Sequence, residues 1–172
     1  MAKKLALLLI LVLVITVVGC SKEPSPIEYQ TKNFKTDASV EINGITYSVR
    51  IQKENENDIK MEFLSPPSVK GVTVEKTREG LFFTSGSVHV PIKNNTNVSA
   101  EALKLFSLGM DEITSVVPDM IGGVKVKKAE FDCSFGKATV FVSSDTKVPV
   151  LIEATVNGTP VTMSFSGFYI EE

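Results

Sequence analysis

The chain has 172 residues, with 18 Lys and Arg against 20 Asp and Glu, and a formal charge of −2. Charges of both signs are interspersed, so no basic stripe argues for nucleic acid as a partner. Two cysteines allow at most one disulfide, and a single histidine leaves no histidine pair for a metal site or a relay.

Lys3 and Lys4 precede an apolar run from Leu5 to Val18, relieved only by Thr16, that closes on Val17-Val18-Gly19-Cys20. A basic start, an apolar run and small residues at its end describe a secretory signal peptide. The run falls short of the roughly 20 apolar residues that span a bilayer. Val17-Val18-Gly19-Cys20 resembles the bacterial lipobox. The resemblance implies a diacylglycerol on the Cys20 sulfur, cleavage between Gly19 and Cys20, and a lipid-anchored protein outside the cytoplasm. Each methylene buried in the bilayer contributes roughly 0.8 kcal/mol, so more than one acyl chain makes such an anchor stable. Loss of residues 1–19 leaves 153 residues, 16 basic against 20 acidic, a formal charge of −4. That length suits a single domain with a substantial core. With Cys20 occupied by lipid, Cys133 has no partner. Between Phe131 and Phe135 it reads as a small buried hydrophobe.

Residues 20–35 read as the lipidated cysteine and a polar tether, carried by Ser21-Lys22-Glu23-Pro24-Ser25-Pro26. The domain is expected over 36–172. Ala38, Val40 and Ile42 alternate up to Asn43-Gly44, and Ile45, Tyr47, Val49 and Ile51 alternate after it. An Asn-Gly pair between alternating runs is a strong hairpin signal, because a type I′ turn needs positive φ at both central residues. Ser39, Glu41, Ser48, Arg50 and Gln52 fall on the opposite, wet face. A third strand carries Ile59, Met61 and Phe63, Ser65-Pro66-Pro67 interrupts the ladder, and Val69, Gly71, Val72 and Val74 resume it. Leu81-Phe82-Phe83 and Val88-Val90-Ile92 continue the meander. From Ser99, read as the N-cap, the apolar positions shift to Ala102, Leu105, Phe106, Met110, Ile113, Val116 and Val117. That spacing predicts a helical insertion over about 99–121, weakened near Ser107 to Gly109 and ended by Pro118 and Gly122-Gly123. Strands return from Val124. A second Asn-Gly pair at 157–158 leads into Val161, Met163 and Phe165, and Gly167 marks a slip in phase expected to be a bulge.

About nine or ten strands and one helical insertion make an antiparallel α+β domain. Lys60-Met61-Glu62-Phe63-Leu64-Ser65-Pro66-Pro67, then Val69-Lys70-Gly71-Val72-Thr73-Val74 and Gly80-Leu81-Phe82-Phe83, resemble the strand-proline-strand pattern of the LolA/LolB-like lipoprotein carriers. Pro149-Val150-Leu151-Ile152 and the Asn157-Gly158 hairpin resemble that family's last strands. The resemblance implies a curved, incompletely closed antiparallel barrel with a helical lid over an apolar cavity that accepts acyl chains. Candidate lining residues are Tyr47, Val49, Met61, Phe63, Phe83, Leu105, Phe106, Met110 and Ile113, with core packing the competing reading for each. The family's soluble carrier holds its closed state with an arginine inside the barrel. Arg50 alternates out of phase with the apolar face, so that role does not transfer to it.

Enzyme signatures such as CxxC, HExxH, GxSxG or a phosphate-binding glycine loop do not occur. His89 reads as an exposed strand residue, and Asp111, Glu112 and Asp119 as solvated charges. The expected function is non-enzymatic and without cofactor. One reading is a membrane-anchored exported lipoprotein that binds lipid or an acylated protein in the half-barrel. The alternative is an envelope or spore-envelope interaction module with the same fold and a filled core.

Overall fold

The computed structural model describes residues 25–92 and 97–171. The expected signal peptide and Cys20 lie outside the described residues. Eleven strands form one antiparallel sheet: β1 (Asn33–Ile42), β2 (Ile45–Lys53), β3 (Ile59–Ser65), β4 (Thr73–Thr77), β5 (Gly80–Ser85), β6 (Val88–Pro91), β7 (Ile113–Ile121), β8 (Val124–Cys133), β9 (Gly136–Ser143), β10 (Pro149–Val156) and β11 (Thr159–Glu171). Their spatial order is β6-β5-β4-β3-β2-β1-β11-β10-β9-β8-β7, so first and last strands pair at the centre and the sheet stays open at β6 and β7. These two edges are consecutive in sequence. The chain between them must therefore cross the sheet, and it does so as a short cover: α1 (Val98–Ala102) and 3-10 turns at Leu103–Phe106 and Met110–Glu112.

Local chemistry fixes the register. Asn43 and Gly44 take φ of 52° and 76°, and Asn157 and Gly158 take 50° and 80°, as two-residue hairpins demand. The turns set the closing pairs of the two hairpins, Ile42 opposite Ile45 and Val156 opposite Thr159. Opposite the shift between Thr36 and Asp37, Gly167 is the extra residue of a bulge, at φ 75°. It lets Phe168 return to the core side, where its ring lies 4.7 Å from that of Phe34. The core is a single cluster on the covered face of the sheet, drawn from both halves of the chain.

Three expectations are corrected. The helical insertion is not 99–121: it ends at Glu112, and residues 113–121 form β7, paired to β8 from Ile113↔Phe131 to Ile121↔Val124. The β-branched run Val116-Val117 suits a strand, and Pro118 is tolerated because β7 is an edge. Gly122-Gly123 is the hairpin turn, not a helix stop. The N-cap is Asn97, whose side-chain oxygen accepts from the Ala100 amide at 3.1 Å, rather than Ser99. The tether does not extend to residue 35. Ile27, Tyr29 and Phe34 are buried, and Glu28–Thr31 forms a 3-10 turn packed under the cover, since three large apolar side chains leave water there.

A lid tied to the sheet and the clefts at its two ends

The cover is a plug of apolar side chains. Ala102, Leu103, Leu105 and Phe106 are all 0% exposed, and the Phe106 ring packs 5.7 Å from Phe34 and 6.0 Å from Phe165. With Tyr29 and Phe168 these rings fill the middle of the half-barrel. Val49 and Met61, the candidate lining residues on β2 and β3, lie beneath them at 0% exposure. Val49, Met61, Leu105 and Phe106 therefore pack against neighbouring side chains with no room for a ligand between.

Three other candidates converge elsewhere. Tyr47, Phe63 and Phe83 meet at the start of the lid, with the Tyr47 and Phe63 rings edge-on at 5.4 Å. With Val72 and Val74 they line a groove of about 160 Å³, closed at its polar end by Asn97 and Ser99. Met110 does not join them. It is 57% exposed and lines a cleft of about 410 Å³ at the opposite end of the lid, with Ile27, Lys53 and Leu108. Ile113 opens β7 and packs half-buried against the core.

Between the two clefts, polar groups fasten the lid. The Lys53 ammonium, 3% exposed at the end of β2, donates to the backbone carbonyls of Gln30 and, at 3.4 Å, Phe106. It satisfies a carbonyl that the end of the helical segment leaves unpaired. The Gln30 side chain donates to the Leu105 carbonyl at 3.3 Å and accepts from the Leu108 amide at 2.8 Å. Burial, with the nearby charge of Lys76, pulls the Lys53 pKa below the ordinary lysine value. Lys53 was not a sequence candidate, although a signal existed: it falls in phase with Val49 and Ile51, on the inward face of β2. On the lid, Glu101 is 1% exposed and pairs with Lys104 at 2.6 Å. Its second carboxylate oxygen has no hydrogen-bond partner among the described residues.

Arg50 lies on the outer face, in a two-pronged pair with Asp37 at 2.8 and 3.2 Å. The hydrogen bonds and charge of Asp37 hold its pKa above the usual arginine value. His89 is exposed, stacked on Phe82 at 4.8 Å and hydrogen-bonded to Thr84 at 2.8 Å. Cys133 is buried and free, and burial, then Glu112 and Asp132, push its thiol up to about 11. Among the described residues no group of three or more His, Cys, Asp or Glu is placed to hold a metal ion, and no helix is long and apolar enough to cross a membrane.

An unclosed, curved antiparallel sheet under a short helical lid is the architecture that the strand-proline-strand pattern implied. The same fold occurs in solved structures of low sequence identity. No protein-family model and no curated protein matches the sequence. Among solved structures the chain is similar to MucB, at 9% identity and a TM-score of 0.55, over 86% of this chain and 58% of MucB. This chain thus spans little more than half of MucB. An uncharacterized conserved protein from Thermus thermophilus is similar at 11% identity and a TM-score of 0.53, over 86% of this chain and 84% of that one. A LolA superfamily protein from Nitrosomonas europaea aligns at 9% identity and a TM-score of 0.47, over 86% and 92% of the two chains. At these identities the first two likenesses concern the fold alone.

Proposed function

We propose that this chain is an exported, lipid-anchored envelope protein that holds an apolar group, such as the end of an acyl chain, in the groove at the start of its lid. The observation that carries this reading is the convergence of Tyr47, Phe63 and Phe83 on a groove that remains open to solvent, while the barrel interior is occupied by protein side chains. A volume near 160 Å³ is close to that of a dry protein cavity of about 150 Å³ known to take benzene. It accommodates the end of a chain and not a whole lipid. Deeper uptake requires the lid to lift, and the Lys53 and Gln30 contacts oppose that.

The same filled interior favours a second reading, an interaction module that docks an envelope partner and carries no lipid. Gentle purification of the chain lacking residues 1–20, followed by native mass spectrometry, separates the two. A co-purifying or added fatty acid that is retained in the wild type and lost in Phe83→Asp supports the groove. An unliganded mass that stays unchanged after incubation with fatty acid and phospholipid eliminates the ligand-binding reading and leaves the interaction module.

A further inference from the structure

The large apolar side chains left in water are not spread evenly over the sheet. Ten are exposed among the described residues, and five of them, Met110, Met120, Val124, Tyr169 and Ile170, lie at or beside one rim of the half-barrel. Strand pairing traces that rim from Asn33 of β1, opposite Glu171 of β11, past the turn at 144–148, to the β7–β8 turn beyond the Ile121–Val124 pair. Met110 reaches it from the lid. Its sulfur accepts a 2.8 Å hydrogen bond from Ser25, in the cleft that also holds Lys53, the partner of Phe34 at the start of β1. Ile45 and Val88 stand at the opposite rim, and Val90, Val116 and Val117 along the two open edges. Single apolar residues on a surface are ordinary, whereas a concentration of them marks contact with another surface.

The chemistry of the rim suits a lipid–water interface. Gly122-Gly123 carry no side chains, so Ile121, Val124 and Met120 are the outermost apolar groups of the β7–β8 tip. Lys125 pairs with Met120 and is exposed, an apolar stem with an ammonium at its end that can stay among headgroups. Tyr169, 69% exposed, offers a ring with one polar end, the type favoured at membrane surfaces. Around the tip the three lysines of β8 stand against Asp119 and Glu130, and on the next turn Lys147 stands against Asp145. That near balance calls for neither a strongly acidic nor a strongly basic partner. The chain also arrives from this side. Ser25 stands five residues after Cys20, and five extended residues span about 17 Å at most. The opposite rim is farther by the length of β1, ten residues and about 33 Å. We infer that the rim formed by the β7–β8 tip and the end of β11 rests in the interface of the bilayer that tethers the chain, with Met120, Ile121 and Val124 among the headgroups and first methylenes. The orientation rests on the lipid-anchor reading of Cys20; the affinity of the tip for lipid does not.

The chain has no tryptophan, so one substitution supplies a reporter. Met120→Trp and, at the opposite rim, Ile45→Trp are made in the full chain, purified in detergent and reconstituted into phosphatidylcholine vesicles with and without brominated acyl chains. Fluorescence of the Met120→Trp chain should move to shorter wavelength on reconstitution and lose intensity in the brominated vesicles, while that of the Ile45→Trp chain should do neither. Quenching of both reporters alike, or of neither, would overturn the proposal. A short-wavelength emission of the Met120→Trp chain that grows with protein concentration and is untouched by brominated lipid would replace the bilayer with a second copy of the chain. The mass of the peptide bearing Cys20 reads the anchor separately. Where that peptide carries no diacylglycerol, the anchor reading fails by itself. The chain from Cys20 onward is then coupled through that thiol to a maleimide lipid, Cys133 being buried, and the same quenching decides for or against the rim.

Discussion

Lys53 on β2 and Phe106 on the lid are 53 residues apart in sequence and joined by a 3.4 Å hydrogen bond from the ammonium to the backbone carbonyl. The same ammonium holds the Gln30 carbonyl, so one side chain binds sheet, lid and N-terminal turn together. Lys53→Met keeps the stem and removes the donor. Two buried carbonyls then lose a partner, at about 1–3 kcal/mol each where water does not replace it. The expected outcome is faster hydrogen exchange at the Leu105 to Leu108 amides, with β1, β10 and β11 unchanged. Uniformly faster exchange throughout the sheet would show that Lys53 supports the whole fold and not the lid.

Arg50, whose place on the wet face kept it from that role in the sequence, should matter little to the lid. Arg50 and Asp37 side chains are 41% and 47% exposed, and solvent screening leaves a pair in that much water with little effect on stability. Asp37→Asn should shift the midpoint of urea denaturation slightly and leave lid exchange untouched.

The two halves of the candidate site call for opposite outcomes. Phe106 is 0% exposed, so Phe106→Asp buries a carboxylate without a partner and should unfold the domain, with loss of the strand signal in circular dichroism. Phe83 is half-buried at the groove, and Phe83→Asp should preserve that signal while removing fatty-acid binding. Loss of folding in both variants would reduce the groove to core packing.

Period-two alternation and turn chemistry were enough to read the sheet. The two Asn-Gly turns, the Gly167 bulge and the inward sets of β1, β2 and β3 follow from local backbone preference and one buried face. The lid was harder, because Met110, Ile113, Val116 and Val117 fit a helical period and an edge strand equally well. Pairing with β8 decided for the strand, and pairing partners are not written in the segment itself. The site divided for a related reason. Tyr47, Phe63 and Phe83 share a face and meet, whereas whether Val49 and Phe106 border a ligand or each other depends on how far the lid sinks. Lys53 was legible as a charge in an apolar phase, but its carbonyl partners at Gln30 and Phe106 are tertiary neighbours that spacing does not reveal.

Gly136 opens β9 at φ 138°, where a Cβ would lie 1.9 Å from the Thr155 carbonyl oxygen on β10. Neither atom is at the end of a flexible side chain. Gly136→Ala must therefore push β9 from β10 or leave its backbone conformation, at a cost of about 3 kcal/mol or more. Thermal unfolding should show a drop of several degrees, while the same substitution at Gly122, where a Cβ meets nothing within 4 Å, carries only the strain of its positive φ.

Cys133 sets an alkaline limit on the stability of the molecule. Its folded-state pKa, about 11, exceeds the ordinary value of 9.0, so the native state keeps a proton that the unfolded chain releases. The stabilisation is complete below pH 9 and is lost as pH rises through 11. Stability measured by urea denaturation should fall across that window, and Cys133→Ala should flatten the fall at some cost in packing at every pH. Tyr29, raised by burial, acts in the same sense at still higher pH, whereas the lowered pKa of Lys53 favours the native state as pH rises toward 10.5. The diagnostic quantity is thus the difference between wild type and Cys133→Ala, not the slope of either alone. A thiol this buried should also resist iodoacetamide at pH 8 in the native protein and react on denaturation. Rapid native alkylation would show that the β8–β9 hairpin opens locally, and the pH argument would then fail with it.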